Sequence, residues 1–238
     1  MSNFLSPDNT QPKVIFLDAM GTLFGLKTSV GEIYQQYALK YGVQADAQLL
    51  DRAFIESFKS APPLAFSVRS ATLEEQEFAW WKNVVQTTFE QLDILAEFDN
   101  FSEFFSDVYN YFATKDPWYV FPDVVPALNR WQNKGVELGV ISNFDTRLKQ
   151  VLEVLELEQF FTSITISSEA GFAKPDPKIF EVALNKHGFT PQQAWHIGDS
   201  FTEDYQGAKQ ARIWAFCLNR DSSLLKIEDR LPNLSSLG

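Results

Sequence analysis

Continuous apolar runs, rather than alternating ones, punctuate this chain. Residues 14–18 (VIFLD), 136–143 (VELGVISN), 163–168 (SITISS), 194–199 (AWHIGD) and 213–219 (IWAFCLN) are short, rich in β-branched or aromatic side chains, and bounded by polar or glycine residues. Such runs predict strands covered on both faces, as in a parallel sheet. Helical spacing fills most of the intervals. Val124, Leu128 and Trp131 fall at i, i+4 and i+7 before Gly135. Leu148, Val151, Leu152 and Leu155 form a second apolar stripe, and Ile179, Val182 and Ala183 a third that stops at Gly188. Strand and helix in alternation predict βα units wound into an α/β fold.

Residues 27–115 break that rhythm, being far too long for a single crossover and lacking a convincing strand. Two stripes there have helical period: Val30, Ile33, Tyr34, Tyr37, Ala38 and Tyr41 before Gly42, and Phe101, Phe104, Phe105, Val108 and Phe112. The segment therefore predicts an all-helical domain, 27–115, inserted after the first strand of a core formed by 1–26 and 116–238. Residues 61–67 (APPLAFS) read as a loop within it, and 115–123 (KDPWYVFPD), with two prolines, as the return linker. The aromatic stripes read as core, although Tyr34, Trp80 and Trp81 are candidates for shaping a pocket.

Composition narrows the function classes. The 238 residues are 45% hydrophobic and 15% aromatic, enough for a full core. A formal charge of −11 argues against a nucleic-acid or anionic-membrane surface, while leaving room for a small anionic substrate. The single cysteine, Cys217, lies in an apolar run, as expected of a buried reduced thiol. No stretch approaches the roughly 18 apolar residues of a spanning helix, and residues 1–13 lack a basic start followed by an apolar core. These features predict a cytoplasmic location. The sequence names no protein partner.

Polar residues gather where the strands end. Asp18 closes the first run, Ser142 and Asn143 the second, Asp199 the fourth, and Lys174 follows the third. In a wound parallel sheet those positions share the ligand-binding edge. Asp18 alone reads as well as a helix cap; the coincidence of four clusters favours chemistry. Two carboxylates, Asp18 and Asp199, suit one Mg²⁺, with water and substrate oxygens completing the octahedron. Lys174, Ser142 and backbone N–H groups after Asp18 suit an anion beside it. A carboxylate so neutralised can attack phosphorus and form an aspartyl-phosphate.

The ordered set DAMGT (18–22), SN (142–143), KPDP (174–177) and GDSFTED (198–204) resembles the haloacid dehalogenase superfamily, in the subclass whose helical cap lies between the first and second motifs. The resemblance covers about residues 13–220 and implies a Rossmann-like core with a cap domain. It further implies Asp18 as nucleophile, Thr22 as stabiliser of the nucleophile loop beside the substrate, Ser142 as phosphate binder and Asn143 as a substrate neighbour. Lys174 is the implied charge-neutralising partner. Asp18, Asp199 and the backbone carbonyl of Met20 are the implied Mg²⁺ ligands, with Asp204 supporting the metal or Lys174.

Met20 is the departure, because phosphatases of this superfamily usually place a second Asp there as acid and base, and a thioether can do neither. The expectation is a phosphohydrolase-like enzyme acting on a small phosphorylated molecule, restricted to good leaving groups. A catalytically weakened protein with a binding or regulatory role is the alternative. Dehalogenation ranks lower because GDSFTED keeps acids in metal-binding register. Phosphonate cleavage ranks lower because it needs a cap lysine, and spacing does not choose among Lys27, Lys40, Lys59 and Lys82. Asp145 reads as a helix cap or a stand-in acid, Asp176 as a helix N-terminal charge, and Glu169 and Glu203 as metal neighbours through water. His196 reads as structural and His187 as a helix C-terminal charge.

Overall fold

The computed structural model describes residues 11–66, 71–220 and 230–237. The reading of residues 1–13 as carrying no leader thus falls mostly on 1–10, outside the described residues, as does Ser67 at the end of the expected loop. Along the chain, β1 (Val14–Leu17) and a short β2 (Phe24–Leu26) precede four helices, α1 (Val30–Lys40), α2 (Ala47–Ser60), α3 (Leu73–Glu90) and α4 (Phe101–Tyr111). After β3 (Trp118–Val120) come α5 (Val124–Asn133), β4 (Glu137–Ser142), α6 (Arg147–Val154), β5 (Ser163–Ile166), α7 (Ser167–Ala170) and α8 (Pro177–His187). The chain then runs through β6 (Ala194–Gly198), α9 (Gly207–Gln210), β7 (Trp214–Leu218) and β8 (Arg230–Leu231).

Six strands form one parallel sheet in the order β5-β4-β1-β6-β7-β8. Its layers follow from the alternation within each apolar run. In β1, Ile15 and Leu17 point into the core shared with α5 and α6, whereas Val14 and Phe16 point into the one shared with α8. Both faces being covered, the strands need apolar side chains at every position, which is why the runs are continuous.

The four helices between β2 and β3 have a core of their own, built on Ile33, Tyr34, Leu50, Phe89, Phe104 and Phe105. Ser29, Asp46, Thr72 and Asn100 start them, each accepting a backbone N–H of the first turn. The reading of residues 115–123 as a plain linker is incomplete. Trp118–Val120 pairs antiparallel with Phe24–Leu26, so the two connections between sheet and helices run side by side. No described helix is long and apolar enough to cross a membrane.

Candidate active site

From β1 the chain moves to β4 and β5 on one side, then crosses to β6 and β7 on the other. The carboxyl ends of β4, β1 and β6 therefore stand together at a topological switch point, where open α/β sheets bind ligands. Asp18 follows β1, Ser142 ends β4, and Asp199 follows β6. Lys174, from the loop between α7 and α8, closes the group. Its Nζ donates to Asp18 Oδ1 at 2.6 Å and to Asp204 Oδ1 at 2.5 Å, and Ser142 Oγ donates to Asp18 Oδ1 at 3.1 Å.

Two glycines make the approach possible. A Cβ on Gly21, whose φ is +88°, would lie 2.5 Å from Asp199 Oδ2, and one on Gly198 would lie 2.1 Å from Asp204 Cγ. Any side chain at either position would push an acid out of the site. Past Gly198, Ser200 caps the wide helical turn of residues 201–206, which carries Asp204 back under the sheet edge. There Asp204 Oδ2 accepts from Ser200 N at 3.0 Å and Oδ1 meets His196 Nε2 at 2.8 Å.

Charge is unevenly divided. Burial raises the Asp18 carboxyl above its ordinary value even though Lys174 opposes the shift. Partial desolvation, since Asp199 still meets solvent at the cavity mouth, and the charges of Asp18 and Asp204 push its carboxyl up to about 7. Asp204 moves the other way: burial works against its charge, but Lys174 and His196 hold it below the ordinary carboxylate range. Burial also opposes the Lys174 ammonium, which its two carboxylates nevertheless keep protonated beyond the ordinary lysine range. Once ionised, three acids against one buried ammonium leave a net negative void, unsuited to a phosphate without added positive charge.

The residues fit a divalent cation. Asp18, Asp199 and Asp204 can each bring an oxygen within 4.8 Å of the others. Asp204 already serves Lys174, His196 and Ser200, so the available pair is Asp18 and Asp199, hard oxygen donors of the kind Mg²⁺ takes.

The other sequence candidates sort clearly. Asn143 clasps the Lys174 backbone, accepting from its N at 2.7 Å and donating to its O at 2.9 Å, and also lines the cavity above Asp18. Thr22 is buried and outside the cavity wall, its Oγ1 3.5 Å from Asp199 Oδ1. Met20 lines the cavity with its side chain 44% exposed.

Asp145 is no substitute acid. It is fully buried, bonded to Arg147 Nε at 2.8 Å and Nη2 at 2.6 Å, and accepts from Trp81 Nε1 at 2.5 Å. Glu169 pairs with Lys149 at 2.5 Å and is not in the cavity wall, whereas Glu203 is. Asp176 caps α8 through Lys178 N, as its position suggested. Lys27 bonds Asp116 O and Lys82 bonds Ser102, and among the described residues no lysine of the helical insertion lines the cavity. Trp81 and Tyr34 line the cavity; Trp80, bonded to Pro62 O, does not.

Sequence reasoning missed Arg147, a cation of the cavity wall, and Glu77. The latter is a fully buried acid of α3 that accepts from Thr146 N, Thr146 Oγ1 and Ser168 Oγ across the helix–sheet interface. Glu77 sits one helical turn before Trp81, and that i, i+4 pairing was the available signal.

Comparisons with known proteins identify the family and the fold. A bovine protein, haloacid dehalogenase-like hydrolase domain-containing protein 3 of Bos taurus, is 30% identical over 234 residues, covering 95% of this chain and 92% of that protein. A crystal structure of a dehalogenase superposes with a TM-score of 0.69 at 18% identity, covering 94% of each chain. A phosphatase from Thermococcus onnurineus gives 0.63 at 20% identity, covering 94% of this chain and 95% of the other. At such identities the two structures share the fold alone. The sequence profile of the haloacid dehalogenase-like hydrolases matches residues 12–212, and with the site assembled as described the chain belongs to that family.

Proposed function

We propose that this protein is a Mg²⁺-dependent phosphohydrolase that forms an aspartyl-phosphate on Asp18 from a small phosphorylated compound. The carrying observation is the charge imbalance around one void: Asp18, Asp199 and Asp204 against Lys174. Asp18, Asp199 and the main-chain carbonyl of Met20 would hold the cation. Bound there, it supplies positive charge toward the phosphoryl oxygens.

Ser142 and Lys174 both bond to Asp18 Oδ1, orienting the carboxylate so that Oδ2 meets phosphorus. The Oδ2–P bond forms as the bond from phosphorus to the leaving oxygen breaks, and that oxygen departs with the electron pair. Lys174 stabilises the developing charge, and Asp204 keeps Lys174 in place. Water then attacks phosphorus, the Oδ2–P bond breaks, phosphate leaves, and the carboxylate is restored. Met20 can neither give a proton to the leaving oxygen in the first step nor take one from water in the second, so both protons of the water depart on the phosphate. General acid–base assistance is typically worth about 10² to 10⁴ in rate, so the first step should be fast only for leaving groups that need no proton.

With Mg²⁺, acetyl phosphate and 4-nitrophenyl phosphate should be hydrolysed with a burst of leaving group, because release of phosphate from Asp18 becomes the slow step. Asp18→Asn should abolish turnover, and Met20→Asp should raise it on alkyl phosphates by about tenfold or more. A folded wild-type protein silent toward every activated phosphate would favour a binding or regulatory role instead. Halide release from a 2-haloacid without added metal would establish dehalogenation.

A further inference from the structure

Between the sheet edge and the helical insertion lies a cavity of about 360 Å³, a size ordinary for small-molecule sites. Its floor is the polar cluster around Asp18. Above the floor the wall is almost wholly apolar, with Val30, Phe54, Trp81, Val85, Phe105 and Val108 among its residues. Met20 extends this surface down to the nucleophile.

Arg147 is the one wall cation from the described residues, and its charge is already answered. Nε and Nη2 grip both oxygens of Asp145, and Nη1 donates to Tyr109 O at 2.7 Å. A second anionic group on the substrate would find no uncommitted positive charge there. The hydroxyls of a sugar would also lose water and gain few partners, at a cost of about 1–3 kcal/mol for each group left unmatched. An aromatic ring would instead exchange water for ring edges and aliphatic side chains.

Resting on the phosphohydrolase reading, we propose that the substrate is a monophosphate whose organic part is an uncharged aromatic group seated in this cavity, and not a sugar phosphate, nucleotide or bisphosphate. The matched pair that tests it is benzoyl phosphate and acetyl phosphate, whose carboxylate leaving groups are similar and whose main difference is the ring. With Mg²⁺ the wild-type protein should show kcat/KM at least about tenfold higher for benzoyl phosphate, from burial of the ring.

Phenylphosphonate and methylphosphonate, which carry no phosphate ester or anhydride bond, give the same comparison by calorimetry without turnover, and the phenyl compound should bind tighter by a similar factor. Cleavage of acetyl phosphate at least as efficiently as benzoyl phosphate would overturn the cavity assignment and leave the phosphohydrolase reading standing. No turnover of either, with phenylphosphonate still preferred, would do the reverse. Equal affinity for the two phosphonates would overturn the cavity assignment whatever the turnover.

Discussion

With no cation bound, desolvation at the cavity mouth, where Asp199 still meets solvent, together with the charges of Asp18 and Asp204 raises its carboxyl to about 7. In the unfolded chain the same carboxyl returns to its ordinary value of 3.8. Between those values the folded state holds a proton that the unfolded state has released. The contribution of this group to stability is therefore fully present below about pH 4 and is lost as pH rises through about 7. On the proposed function, Mg²⁺ would have to displace that proton. Its affinity should fall about tenfold per unit as pH drops below 7, with close to one proton released per ion bound. Calorimetry on either side of pH 7, in buffers of different ionisation enthalpy, measures both quantities. A pH-independent affinity would mean that Asp199 is ionised before the ion arrives.

His187 illustrates what an element end can hold together. It is the last residue of α8, where its Nδ1 meets Glu137 Oε2 at 2.5 Å and its Nε2 meets Ser163 Oγ at 2.7 Å. Glu137 and Ser163 are the first residues of β4 and β5, so this cluster lies at the edge of the sheet opposite Asp18. His187→Ala should lower unfolding free energy by about 2–3 kcal/mol through two lost hydrogen bonds and the lost packing on Phe16, with Mg²⁺ affinity unchanged. Denaturant titration beside metal titration tests both halves. The sequence marked only the helix-terminal position of His187, since nothing in a single chain reveals which strand ends lie beneath it. The five long strands were legible for the opposite reason: burial on both faces writes itself into continuous apolar runs. The paired β2 and β3 are three residues each, too short for any period to register. Asp18, Ser142 and Asp199 were legible because strand ends are predictable from strands, and Lys174 through its place in the ordered motif set, whereas the fate of Asp145 depended on Arg147 folding back upon it.

Taken whole, the molecule is a sheet and a helical layer joined by the β2–β3 pair on one side of the cavity and by a set of polar bonds elsewhere. Trp81 donates to Asp145, Ser167 Oγ donates to Leu64 O at 2.6 Å, and Arg147 reaches Tyr109 O. Glu77 is the most committed of these contacts, because one buried carboxylate receives three donors from the sheet side. Burial raises its carboxyl above the ordinary value, with the Ser168 and Thr146 hydrogen bonds opposing that rise. Glu77→Ala would strand those donors, and hydrogen bonds to charged acceptors are worth about 1.5–3 kcal/mol each without simple additivity, so a loss of about 3 kcal/mol is expected. Glu77→Gln keeps an acceptor for Thr146 N and Ser168, while the Thr146 hydroxyl can turn to accept from the new amide, so it should cost less than about 1 kcal/mol. If this carboxylate couples the two layers, hydrogen exchange in the alanine variant will show α1 to α4 opening at lower free energy than the sheet, which wild type and Gln variant will not. Uniform loss of protection across both layers would instead mean that Glu77 stabilises the whole molecule without fastening one part to the other.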